Sequence, residues 1–97
     1  LYYGSICLAH FMGRNYEEAM RDARTAIRLR SDFAGAHRVL TAAAGMSGDS
    51  AAAAAALAEL RRAQPGISVA WIADHVPIKH DSDRAHYLEG FRRAGLD

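Results

Sequence analysis

Cysteine is almost missing from this chain. Cys7 stands alone, so no disulfide can close within it. A lone thiol in an apolar segment fits a reducing, intracellular setting and leads us to expect a cytoplasmic protein. No cationic neighbour that would activate Cys7 is evident, and a small residue at a helix contact is its simpler reading. Proline occurs only at Pro65 and Pro77, each where a helical pattern stops. Aromatic residues are few, only eight. The formal charge of +1 gives no reason to expect nucleic acid or an anionic membrane as partner. No apolar run nears the ~18 residues of a membrane-spanning helix. The opening LYYGSICLAHFM has no basic leader, so it is not read as a secretory signal. It begins inside a helical pattern and is expected to belong to a longer protein. Strand signals are absent, as are a nucleophile elbow, a phosphate loop and paired catalytic carboxylates. Catalysis by this chain and a bound cofactor are therefore not expected.

What is present is helix. Of the residues, 51% are hydrophobic, many of them alanine, including the run Ala51 to Ala56. Alanine favours helix while burying little area, so the core must come from close helix approach. Leu1 to Met12 carries apolar residues at mixed spacings and predicts a helix apolar on more than one side. Gly13-Arg14-Asn15 is a turn, and Asn15 is an N-cap candidate with Glu17 and Glu18 in the first turn. From there Tyr16, Ala19, Met20, Ala23, Ala26 and Ile27 step by three and four to about Arg30. Glu17 and Arg21 are spaced for an i,i+4 pair. The arginines of this segment lie among acids, as on a solvated face rather than a phosphate site.

Ala34 to Met46 and Ala51 to Ala63 predict two further helices, with Asp49 or Ser50 capping the second and Pro65-Gly66 closing it. Ser68 caps a short helix, Val69 to about His75. Asp81 or Ser82 caps a last one that runs to about Ala94 and stops at Gly95. Asp74, His75, His80, Asp81, Asp83 and His86 crowd together, but without the convergent spacing that zinc requires, so no metal site is assigned.

A spacing of 34 brings Tyr16 onto Ser50, Ala19 onto Ala53, Ala26 onto Leu60, Ile6 onto Leu40 and Cys7 onto Thr41. One period further, Trp71 falls on His37 and Tyr3. The register resembles the tetratricopeptide repeat family. An aromatic opens each unit (Tyr3, His37, Trp71), a small residue follows (Cys7, Thr41), an alanine marks the second helix (Ala19, Ala53), and Pro65 closes a unit. Gly13 sits one place early, and Ser31 stands where a closing proline is expected. The resemblance implies an all-α, tetratricopeptide-like helical-hairpin solenoid. Its repeats are 1–33 and 34–67, with a truncated third unit and cap over 68–97. The segments AWIADHVP and HYLEGFRRAGLD are similar, more loosely, to the C-terminal repeat regions of bacterial class III adenylate/guanylate cyclases and related signalling regulators.

The first resemblance implies a non-catalytic protein–protein interaction module of a larger signalling or regulatory protein. The second implies the regulatory tail of a cyclase; a self-association element is a third reading. Repeats of this kind bind protein or peptide on the face of their first helices, which here offers Leu8, Phe11, Met12, Arg38, Ala42 and Met46, with Gly4 beside them. That apolar strip with one cation suits an amphipathic helix or an extended peptide with an acid. Leu8, Phe11 and Met12 equally suit packing on a further repeat, the commoner use of an apolar stripe. Two and a half repeats leave an uncapped face, so a homodimer through Leu1–Met12 is expected. On the groove reading, Phe11→Glu should abolish partner binding without unfolding the chain.

Overall fold

The structure is a computed structural model that describes residues 3–76 and 78–97, with side chains from Leu8 onward. The described residues form six helices and no strand: α1 (Tyr3–Met12), α2 (Tyr16–Leu29), α3 (Ala34–Ser47), α4 (Ser50–Ala63), α5 (Val69–His75) and α6 (Asp81–Ala94). None is long and apolar enough to cross a membrane.

Helix α3 is the centre. It packs against α1, α2, α4 and α6. It buries Ala36, His37, Val39, Thr41, Ala42, Ala43, Ala44 and Gly45. A helix can be surrounded on this scale only when its side chains are small, because interaxial distance follows side-chain size. Thr41 is fully buried, and its hydroxyl donates to the His37 carbonyl oxygen at 2.8 Å. Around this axis the second helices present narrower apolar stripes: Ala19, Met20, Ala23 and Ala26 on α2, and Ala53, Ala56, Leu57 and Leu60 on α4.

A spacing of 34 relates α2 to α4. Adding it to the bounds of α2 gives the bounds of α4. Arg30 N–H donates to Ala26 at 2.8 Å, and Gln64 N–H donates to Leu60 at 2.8 Å. Phe33 N–H reaches Arg30 at 3.1 Å, and Ile67 N–H reaches Gln64 at 3.1 Å. The turns between paired helices match as well. Gly48 ends α3 at φ 81°, and Arg14, thirty-four residues earlier, ends α1 at φ 64°. The glycine expected at that turn sits at position 13, so an arginine occupies the left-handed conformation.

The caps divide. Asp49 Oδ1 accepts from Ala52 N–H at 3.0 Å, and Ser68 Oγ accepts from Trp71 N–H at 3.0 Å, as the sequence predicts. Asn15 precedes α2 but makes no side-chain cap bond. For α6 the capping position is His80 rather than Asp81 or Ser82, again without a side-chain bond. Asp81 and Asp83 lie inside the first turn instead, where their charge favours the helix dipole. Among the described residues, the ion pairs of the exposed faces are Arg62–Glu59, Arg84–Asp81, Arg93–Glu89 and Arg30–Asp32, and the expected Glu17–Arg21 pair is not one of them.

Helix α5 rests on α6, and α6 turns back across α3, also touching α1 and α4. The Val69 N–H donates to the Asp97 carbonyl oxygen at 3.0 Å, tying the chain's last residue to the start of α5.

Candidate functional site: the face of α1 and α3

The candidate binding face of α1 and α3 already holds a helix. Its occupant is α6. Phe11, at the end of α1, is fully buried. His86 stacks on its ring with centroids 4.5 Å apart, while Tyr16 and Tyr87 approach it edge-on at 5.5 and 5.3 Å. Tyr87 in turn meets Phe91 edge-on at 4.9 Å. Such geometries add to the value of simple area burial.

Further along, the two backbones meet. A methyl group added at Gly90 would lie 2.6 Å from the Ala42 carbonyl oxygen and 3.0 Å from its Cα. One added at Gly45 would overlap the Gly90 carbonyl oxygen and lie 3.0 Å from the Ala94 nitrogen. These neighbours are backbone atoms and cannot swing aside. Only glycine at both positions allows the crossing.

The six candidate residues therefore divide by position. Phe11 and Ala42 are completely buried, and both lie against α6. Leu8, Met12 and Met46 are half-buried and pack against the core. Arg38 is engaged within the chain: its Nη1 donates to Gln64 Oε1 at 2.9 Å, and its guanidinium lies 5.8 Å from the Trp71 ring centroid. The expectation that Phe11→Glu leaves the fold intact is corrected here, since the carboxylate would enter a fully buried aromatic cluster without a partner. Gly4, Cys7 and most of the expected Leu1–Met12 dimer contact lie outside the residues whose side chains are described.

His86 carries the electrostatics of this face. It shares a hydrogen bond with the Tyr16 hydroxyl at 2.6 Å. Burial and the nearby Arg14 guanidinium hold its pKa below the ordinary value, with Asp83 pulling the other way. Both lowering effects favour the neutral imidazole. Nearby, His10 Nε2 lies 3.3 Å from Asp22 Oδ2 and pins α1 to α2.

Sequence reasoning did not single out Gly45, Gly90, Tyr16 or His86 as partners. One signal was present: a glycine inside a helical pattern costs about 1 kcal/mol against alanine and often marks close packing. Nothing local pairs Gly45 with Gly90.

Other chemistry-bearing groups do not converge. Among the described residues no three of His, Cys, Asp and Glu are grouped to hold a metal ion. His75, one of the crowded histidines, stacks on Trp71 at 4.3 Å, and its Nδ1 bonds the Trp71 carbonyl oxygen at 2.8 Å. A scan of protein-family models and searches of curated proteins and of solved structures find no match to this chain.

Proposed function

We propose that the chain is a tetratricopeptide-like, non-catalytic protein-interaction module whose α1–α3 face receives a helix. The 34-residue recurrence of helix bounds, closing hydrogen bonds and left-handed turn residues supports the repeat reading. The observation that carries the binding reading is α6 itself. The face holds a helix through an aromatic cluster at one end and a glycine crossing in the middle. The chain's own helix is then a resident competitor. Held on the same chain, it has an effective concentration of about millimolar order, so an external helix must displace it or wait for it to leave.

The test is displacement. Gly90→Ala in the full chain should loosen α6. A labelled peptide with the sequence of residues 81–97 should then bind saturably in fluorescence anisotropy, and far more weakly to the wild-type chain. The same peptide carrying Gly90→Val should not bind. If the native peptide fails to bind a Gly90→Ala chain that keeps its helical circular dichroism, the face is a packing surface and not a receptor.

A further inference from the structure

Helices α2 and α4 both pack on α3 but not on each other. The cause is alanine. On the side facing α2, helix α4 places Ala52, Ala55 and Ala56, residues too short to reach across. What remains is a furrow of about 380 Å³ floored by Leu40 and His37 and walled by Ile27. A shallower depression of about 240 Å³ continues it past His37 and Glu59 to Ala63. From Ala52 to Ala63 the trough follows α4 for about 16 Å at 1.5 Å per residue, roughly three turns of helix.

One feature, charge, marks this trough as unfinished. Arg24 and Arg28 stand on its α2 side. Arg28 donates to the Thr25 hydroxyl at 3.0 Å, and among the described residues neither arginine has a carboxylate partner. The acids of the rim are taken, Glu59 by Arg62 at 3.1 Å and Asp32 by Arg30 at 3.8 Å. His37, only 5% exposed, is engaged within the chain: its Nε2 lies 2.8 Å from the Ser31 carbonyl oxygen and donates there.

We propose that this furrow binds an amphipathic helix of a partner protein that carries carboxylates along one edge of its apolar stripe. The apolar stripe seats on Ile27, Leu40 and the three alanines, where small side chains let a helix approach closely. The carboxylates meet Arg24 and Arg28. An extended, open-ended trough fits a helix better than a compact ligand. The site lies apart from the α1–α3 face, so binding here leaves α6 in place.

The experiment is a nuclear magnetic resonance titration of the full, labelled chain with two synthetic helical peptides. Both carry leucine at i, i+3, i+4 and i+7; one has glutamates beside that stripe and the other lysines. The glutamate peptide should give saturable shifts at Ile27, His37, Leu40 and Ala55, weakening as salt rises. Joint Arg24→Glu and Arg28→Glu substitution should reduce its affinity at least tenfold. Ala55→Trp fills the trough from an exposed position and should abolish binding while the rest of the spectrum is retained. Equal binding of the lysine peptide, shifts gathered on α1 and α6, or no saturation at millimolar peptide would each overturn the proposal. So would a dimer of the chain alone that Ala55→Trp dissociates, because the occupant would then be a second copy. None of these outcomes depends on the release of α6, so the two binding readings fail separately.

Discussion

The Tyr16 hydroxyl and His86 Nε2 lie 2.6 Å apart, joining the first residue of α2 to the first half of α6 across seventy residues of chain. Folding places this imidazole on the Phe11 ring and near the Arg14 guanidinium. The charged groups bearing on it are thus Arg14, which disfavours a proton, and Asp83, which favours one.

A pH dependence follows. The folded chain holds His86 below its ordinary value of 6.5, so the unfolded chain binds the extra proton first as pH falls. Stability from this group is fully present above pH 6.5 and is lost as pH drops from there through the lower, folded value. Urea midpoints from pH 7.5 to 5 should decline for the wild-type chain. The decline should be shallower for His86→Gln, and equal slopes would show that His86 is not the titrating group.

The glycine crossing predicts substitutions of opposite character. Gly90→Ala and Gly45→Ala drive a methyl into backbone and should destabilise by about 1–3 kcal/mol, despite alanine's better helix propensity. At Gly35 an added methyl would meet only the Phe33 ring, at 2.9 Å, and that ring can swing away. Gly35→Ala should therefore change stability by less than about 1 kcal/mol. Thermal or urea unfolding of the three variants decides it.

Arg14 offers a stabilising change. It sits at φ 64° where its counterpart in the next hairpin is Gly48 at φ 81°. Left-handed backbone costs an L-residue about 1–2 kcal/mol, part of which glycine returns through its freer unfolded state. Arg14→Gly should raise stability by about 0.5–1 kcal/mol, and Arg14→Ala should not. If both behave alike in urea, side-chain charge rather than backbone strain governs the turn.

The caps should differ as their hydrogen bonds do. Asp49→Ala and Ser68→Ala each remove an acceptor and should cost about 1 kcal/mol. Asn15→Ala removes a residue that makes no cap bond and should cost little. A large loss at Asn15, measured by chemical denaturation, would contradict this geometry.

The helices were legible in the sequence because their causes are local. Alanine-rich periodic stretches, Asp49 and Ser68 ahead of them, and Gly48 and Gly95 behind them act within a few residues, and the observed bounds differ by a residue or so from those expected. The contacts of α1 with α2, α2 with α3 and α3 with α4 follow from the short turns between them. The direction taken by the last helix has no such local cause. The course adopted brings Gly45 against Gly90 and Phe11 against His86. Those partners lie forty-five and seventy-five residues apart in sequence, and only packing brings them together. The sequence by itself determined an all-α chain of short helices. The tertiary structure decided that the face with the most apolar first-helix residues is covered by the chain's own α6. It also left open the furrow beside α4, because alanines long enough to make a helix are too short to close the gap to α2.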